Sequence, residues 1–281
     1  MNSYLKLFKI RISFLVALTS ATAFVIASNG ISISLFNSSL GVFLLAAGAS
    51  ALNQIQENKI DAMMERTMAR PIPSGEIPVS AAWSVSIAVM VAGLLFLLFS
   101  GLLPAAFGIF AVVWYNGFYT PLKKKSAFAG VPGSLTGAIP PLIGWTAAGG
   151  TIADPRIAAI SIFVFLWQVP HFWILILTYG NEYERAGLPV LSRVLSQRQI
   201  KRIVFVWILS SASAGLILPF FGLINSVLIS LILTAGTAYL IFSGTKIFKE
   251  EGNEKYFPVL FRDINIYAAV VMVLLMVDVL I

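Results

Sequence analysis

Long apolar stretches separated by short polar segments dominate this chain. A helix of roughly 18–22 apolar residues is long enough to cross about 30 Å of hydrocarbon. Nine such windows occur, near residues 12–28, 39–56, 79–99, 103–120, 130–150, 157–178, 203–221, 223–242 and 264–281. The pattern predicts an all-α integral membrane protein with nine transmembrane helices around a central cavity, in which residues 1–281 form a single domain.

The fifth window, 130–150, differs from the others because it is rich in glycine and proline. These residues are Gly130, Gly133, Gly137, Pro140, Pro141 and Gly144. Proline interrupts the hydrogen-bond ladder of a helix, and small residues allow neighbouring helices to approach closely. We therefore expect this span to be kinked or closely packed against its neighbours.

Composition agrees with a membrane protein, since 58% of the residues are hydrophobic and 11% are charged, whereas soluble domains carry about 25% charged residues. The absence of cysteine excludes disulfides, zinc–thiolate sites and iron–sulfur clusters. His171 is the single histidine, which excludes a multi-histidine metal site.

The net charge of +7 sorts by membrane side, which argues against nucleic-acid binding. If the N-terminus is cytoplasmic, only Arg156 of the 19 Lys and Arg residues falls on the outer side, as the positive-inside rule requires. The first window follows basic residues but no convincing cleavage site, so we interpret it as a retained helix. We expect a multi-pass protein of the cell (inner) membrane with an external C-terminus and with its long polar loops, 57–78 and 179–202, in the cytoplasm.

The first of these loops begins with acidic and amide side chains at a helical spacing. Asn53, Glu57 and Asp61 are four residues apart, and Arg66 and Arg70 follow. Each step of four residues rotates by only about 40° around a helix, so the three side chains share one face. An isolated carboxylate here would more often be a solvated helix end, but three oxygen ligands beside arginines suit Mg²⁺ and a diphosphate.

A second polar cluster leaves the sixth span in the same way, with Asn181 and Glu182 at the membrane boundary. Two such clusters predict two metal-binding half-sites facing each other across one cavity, with a diphosphate between them. Tyr119 and Lys123 lie at the inner end of the fourth span. The three consecutive lysines there are typical of membrane anchoring, but one of them could contact a phosphate.

Together these segments resemble the UbiA superfamily of intramembrane prenyltransferases. Its first motif, N-x3-D/E-x3-D followed by two arginines, matches the cluster that begins at Asn53. The segments YTPLKKK, GSLTGAIPPLIGWTAAGG, WQVPHFW and NEYERAGLPVLS resemble the branch that farnesylates haem, and the likeness spans roughly residues 5 to 200. The chain departs from the family at Lys9-Ile10-Arg11, where K-P-R is usual, and at Asn181, where aspartate is common.

The resemblance implies transfer of a farnesyl group from farnesyl diphosphate to a vinyl group of haem B, which gives haem O, with Mg²⁺ as cofactor. It assigns metal binding to both acidic clusters and diphosphate binding to Arg66, Arg70 and Lys123. Tyr119 and Trp114 are candidates for the cavity lining, with helix packing as the alternative. Membrane lipid surrounds the enzyme, and a haem A synthase or a terminal-oxidase assembly system is a candidate partner.

His171 is the candidate haem ligand, since the chain has no other histidine and no cysteine. Met63, Met64 or a tyrosine are alternative ligands, and a hydrogen-bonded packing role for His171 also stays open. Two other functions are compatible with the pattern. A related enzyme could prenylate an aromatic quinone precursor, and intramembrane acids also occur in secondary transporters. A non-enzymatic scaffold would leave the aligned acidic face unexplained.

Overall fold

The computed structural model describes residues 3–248 and 256–281, which form helices and loops only. The α-helices are α1 (Ser3–Leu7), α2 (Ile10–Ser28), α3 (Ile33–Asp61), α4 (Val79–Ser100), α5 (Leu102–Val112), α6 (Thr120–Lys123), α7 (Gly130–Gly133), α8 (Leu135–Ala147), α9 (Pro155–Arg185), α10 (Gln197–Ile217), α11 (Val227–Thr245) and α12 (Phe257–Leu280). A π-helical segment, Val113–Tyr119, joins α5 to α6. Part of the predicted inner loop between the eighth and ninth spans, 249–255, lies outside the described residues.

Eight helices within the described part of the chain are long and apolar enough to cross a membrane. The predicted fifth span is a broken helix instead of one full-length span, because it consists of α7 and the 13-residue α8. A helix of that length extends about 20 Å, less than the hydrocarbon thickness.

The broken fifth span still runs along most of the bundle. Gly130 in α7 lies against Trp173, near the end of α9 that carries the second polar cluster. At the other end of α8, Trp145 lies beneath the guanidinium of Arg156, at the start of α9. The pair α7–α8 is therefore antiparallel to α9, and the alternation of helix directions predicted from nine windows is preserved.

Small residues bring α8 close to its neighbours, as the sequence predicts. A Cβ atom on Gly144 would clash with the backbone carbonyl of Ser20 in α2, and one on Gly137 would clash with the side chain of Gln168 in α9. The broken helix thus packs tightly between α2 and α9, two of the helices that line the central cavity.

Two local departures from α-helical geometry occur next to the polar loops. The π-helix Val113–Tyr119 ends just before Pro121, which has no N–H to continue the regular ladder. In α9, Tyr179 leaves helical geometry at φ −118° and ψ 20°. Such irregular turns redirect side chains and occur frequently at functional sites. Here they set the direction of the chain at the ends of the fourth and sixth spans.

Candidate functional site

The C-terminal end of α3 carries the predicted acidic cluster on one buried face. Asn53, Glu57 and Asp61 are 4%, 4% and 1% exposed. The helix continues beyond the predicted apolar window of 39–56 and ends at Asp61, so all three side chains belong to one continuous helix. Carboxylates at this depth need a counter-charge.

That counter-charge comes from cations outside α3, one for each of the two carboxylates. Lys123 Nζ lies 2.6 Å from Glu57 Oε1, and Arg70 Nη1 lies 2.6 Å from Asp61 Oδ2. The Glu57 oxygen is buried, so water screens its ion pair with Lys123 little. Both carboxylates of the cluster are therefore paired with a cation, and the Glu57–Lys123 pair lines the cavity described below.

Lys9 is a third cation at this site, which the sequence analysis noted only as part of a departure from the family. Its Nζ donates to Asn53 Oδ1 at 3.3 Å, and its backbone is left-handed, with φ 45°. Few non-glycine residues adopt that conformation, which is often retained at functional sites. Burial, reinforced by the positive charge of Arg70, lowers the pKa of Lys9 to about 7.

The two polar loops meet through Arg66. Its backbone N–H donates to Glu182 Oε2 at 3.1 Å, and its Nη2 donates to the Tyr183 hydroxyl at 3.3 Å. The same guanidinium lies 4.9 Å from the ring centre of Tyr179. Met64 packs into an apolar cluster with Tyr183 and neighbouring residues of the second loop. The two polar loops are thus in contact, and the ends of α3, α6 and α9 together with Arg66 and Arg70 form one rim. Of the two predicted half-sites, Asn53 and Glu57 line the cavity described below, whereas Asp61, Asn181 and Glu182 do not.

The members of the second cluster differ in their surroundings. Glu182 is half-buried and Asn181 is exposed. Among the described residues, no three His, Asp or Glu side chains lie together as a ready-made metal site. This arrangement still suits Mg²⁺, which is usually held by one or two carboxylates together with water and substrate phosphates. Glu57 and Asp61 on one helix face provide such carboxylates, and the Asn53 amide oxygen adds a third oxygen on that face.

A cavity of about 1000 Å³ opens next to this rim, and its wall includes Asn53, Glu57, Arg66, Arg70 and Lys123. Its volume lies at the upper end of the range for small-molecule sites, about 300–1,000 Å³. The cavity is therefore large enough for more than one bound group.

Aromatic rings form the cavity wall behind the charged residues. Tyr115, Tyr119 and Phe172 line it in a row, with ring centres 6.0 Å and 5.4 Å apart. The prediction that Tyr119 lines the cavity is confirmed. Trp114 does not line it and instead donates to the Pro132 carbonyl. Tyr115 was missed, although its position four residues before Tyr119 was a signal.

A second wall of the cavity is formed by α9 and α12. His171 lies between Trp167 and Phe261, with ring centres 5.3 Å and 4.8 Å from the imidazole. All three residues line the cavity, whereas Met63 and Met64 do not. The contribution of α12 was missed, because its sequence shows little besides an apolar pattern.

The chain matches the model of the UbiA prenyltransferase family over residues 15–265. Protoheme IX farnesyltransferase of Geobacter sulfurreducens is 38% identical over 219 residues, which cover 78% of this chain and 81% of the relative. Protoheme IX farnesyltransferase of Oleidesulfovibrio alaskensis is 37% identical over 278 residues, which cover 97% of this chain and 94% of the relative.

Solved structures share the fold. A digeranylgeranylglyceryl phosphate synthase superposes with a TM-score of 0.79 at 16% identity, covering 99% of this chain and 98% of the other. A UbiA homologue of Archaeoglobus fulgidus bound to GPP and Mg²⁺ gives a TM-score of 0.70 at 14% identity, covering 98% and 99% of the two chains. The family match and the relatives above 30% identity lead to one conclusion: this chain belongs to the UbiA prenyltransferase family.

Proposed function

We propose that this protein transfers a farnesyl group from farnesyl diphosphate to a vinyl group of haem B and gives haem O. The observation that carries this proposal is the continuity of the cavity, which joins Glu57 and the cations of the rim to the wall that contains His171. The two relatives named protoheme IX farnesyltransferase support the same choice of substrates.

The diphosphate binds at the rim. Asn53, Glu57 and Asp61 would hold one Mg²⁺, and Glu182 with Asn181 would hold a second. The burial of Glu57 beside the cavity supports this assignment, since a metal ion could replace Lys123 as the counter-charge of this carboxylate. Bound Mg²⁺ supplies a Lewis acid that neutralises the leaving diphosphate.

The cations of the rim exchange partners when the diphosphate binds. In the structure Lys123 and Arg70 neutralise Glu57 and Asp61, and both cations line the cavity. With a metal ion at the carboxylates, the ammonium and the guanidinium would be available to phosphate oxygens, and Arg66 would contact them from the second polar loop. Each charge then keeps a partner, which avoids the cost of an unpaired charge at a buried site.

The aromatic wall favours the reacting carbon. As the diphosphate departs, positive charge develops on the allylic carbon, and the faces of aromatic rings attract such charge. The rings of Tyr115, Tyr119 and Phe172 line the cavity next to the rim, where they can stabilise this charge. The apolar remainder of the cavity limits water until the carbon–carbon bond has formed.

The acceptor lies against α9 and α12, where His171 binds the iron of haem B. Trp167 and Phe261 flank the imidazole and offer flat apolar surfaces to the macrocycle. Prenyl transfer to a vinyl group, followed by addition of water, yields the hydroxyethylfarnesyl group of haem O. A haem A synthase or a terminal-oxidase assembly system then receives this product.

The rim faces the cytoplasm of the cell membrane. The ends of α3, α6 and α9 that form the rim also begin or flank the lysine- and arginine-rich loops, and such loops stay on the inner side. The N-terminus is then cytoplasmic and the C-terminus external.

Purified full-length protein in detergent tests this function. With haem B, farnesyl diphosphate and Mg²⁺, we expect a pigment heavier than haem B by one farnesyl group and one hydroxyl group, and no such pigment when EDTA is added. A parallel reaction with an aromatic quinone precursor separates the related alternative. Prenylation of that ring without any change in haem would refute the proposal.

A further inference from the structure

His171 is held by one side chain of another helix. Its Nδ1 lies 2.8 Å from the side-chain oxygen Oδ1 of Asn265 in α12. The amide nitrogen of Asn265 donates to the Phe261 carbonyl at 2.6 Å, one turn earlier in the same helix. An amide in an apolar membrane helix is costly and commonly marks a function.

The chemistry of these two hydrogen bonds fixes the direction of each. The Phe261 carbonyl can only accept, so the amide atom of Asn265 that faces it must be the NH₂ group. The atom that faces His171 is then the amide oxygen, which also can only accept. The proton between them therefore belongs to His171 Nδ1.

With the proton on Nδ1, the neutral imidazole keeps its lone pair on Nε2. The imidazole lines the cavity and is half-buried, and Nδ1 is occupied by Asn265. Nε2 is therefore the ring nitrogen left for a ligand in the cavity. In the other tautomer, the proton on Nε2 would prevent this nitrogen from coordinating a metal.

A separate contact holds the two helices in register at this level. Trp167 Nε1, one turn before His171, donates to the Ile264 carbonyl at 3.0 Å. Ile264 directly precedes Asn265, so the bond between the helices keeps the amide opposite the imidazole. The packing of α9 against α12 therefore also helps to hold Asn265 opposite His171.

We infer that Asn265 is a positioning residue for the acceptor substrate: it selects the His171 tautomer whose Nε2 binds the iron of a tetrapyrrole. This inference rests on the proposed function for the identity of the acceptor. The tautomer itself follows from the geometry alone and can be tested without haem. A neutral amide acceptor also makes the imidazole a weaker donor to iron than a carboxylate partner would.

The single histidine of the chain makes the first test direct. In full-length protein labelled with ¹⁵N-histidine, NMR of the ring nitrogens reports which of them carries the proton. We expect the Nδ1–H form in the wild type and in Asn265→Asp, which retains an acceptor oxygen, and a mixture or reversal in Asn265→Leu. An Nε2–H form in the wild type, or the same tautomer in Asn265→Leu, would overturn the inference.

Haem titration followed by absorption and EPR spectra provides the second readout. Asn265→Leu should weaken haem binding by about 10- to 100-fold, the usual cost of losing the partner of a metal-binding histidine, and should change the ligand-field spectrum. Asn265→Asp should retain the spectrum of a histidine ligand and lower the reduction potential of the iron. A spectrum identical to the wild type in Asn265→Leu would contradict a positioning role.

Tyr239→Phe is the matched control. Tyr239 donates to Asp263 of α12 at 3.2 Å and does not line the cavity, so its loss removes a hydrogen bond to the same helix without touching His171. We expect wild-type tautomer and spectra. If the tautomer follows Asn265 as expected but haem neither binds nor reacts, the proposed function fails while the assignment of the proton stands.

Discussion

Replacement of Asp61 by asparagine tests the metal-binding role of the acidic cluster most directly. The substitution keeps the size of the side chain and removes its charge. The fold should tolerate it, because the backbone carbonyl of Asp61 still accepts from Thr67 Oγ1, at 2.9 Å. Arg70, which now pairs with the carboxylate, can still donate to an amide oxygen.

The expected loss of activity follows from the burial of this side chain. Asp61 is 1% exposed, so water screens its charge little. A unit charge about 4 Å from a cation contributes about 4 kcal/mol at an effective dielectric constant of about 20. If that contribution acts on the departure of the diphosphate, its loss slows turnover by about 10³-fold. The Mg²⁺ concentration needed for half-maximal turnover should also rise.

Turnover is measured as prenylated haem formed by purified protein over a range of Mg²⁺ concentrations, with thermal unfolding as a check of folding. Glu184→Gln is the matched control, because Glu184 also pairs with an arginine, Arg193 at 2.8 Å, but is exposed, whereas Asp61 is buried. It should leave turnover within about twofold of the wild type, as surface ion pairs contribute little. Asp61→Asn protein that retains more than about a third of wild-type turnover would refute a ligand role for Asp61.

Three further substitutions probe the rim and the packing behind it. Lys123→Met should lower turnover by at least about 10²-fold and also lower Tm, whereas Lys123→Arg should have a Tm close to that of the wild type. Equal unfolding curves for the two variants would contradict a stabilising ion pair between Lys123 and Glu57. Glu182→Gln keeps an acceptor for the Arg66 backbone N–H and should lower kcat with little change in KM for farnesyl diphosphate. Glu182→Ala removes this acceptor and should also raise KM. Identical kinetics of the two variants would exclude a role for Glu182 in positioning the loop that carries Arg66. Gly144→Ala should destabilise the protein by about 1–3 kcal/mol, because its Cβ would meet a backbone carbonyl of α2, whereas Gly30→Ala, which meets nothing within 4 Å, should not. Denaturation in a mild detergent compares the two.

The sequence predicts the spanning helices and the acidic face well, for physical reasons. Apolar windows must match the hydrocarbon thickness, and a spacing of four residues places side chains on one helix face. Both features are local, so α3 appears in the structure with Asn53, Glu57 and Asp61 aligned and buried. The fifth window was also recognised as unusual, but hydropathy alone could not show that it divides into α7 and α8.

Some residues that tertiary packing brings together were not predicted. Lys9 reaches Asn53 across 44 positions of the sequence, and Asn265 reaches His171 across 94. Neither pair has a local spacing that a motif could reveal. The π-helix that directs Tyr115 and Tyr119 toward the cavity has no clear sequence pattern apart from the following Pro121.

In the proposed reaction, α9 sets the distance between the two substrates. His171 faces the cavity, and Tyr179, eight residues later, supports Arg66 at the rim. Eight residues of helix correspond to about 12 Å, so an iron bound at His171 and a diphosphate bound at Arg66 are separated by that order of distance. A vinyl group on the edge of the macrocycle would have to span this distance to meet the carbon bonded to the diphosphate. Val42, Leu45 and Val112 line the same cavity and offer an apolar wall for the rest of the prenyl chain. Because one helix carries both His171 and the support of Arg66, this geometry does not depend on movement of one half of the bundle against the other.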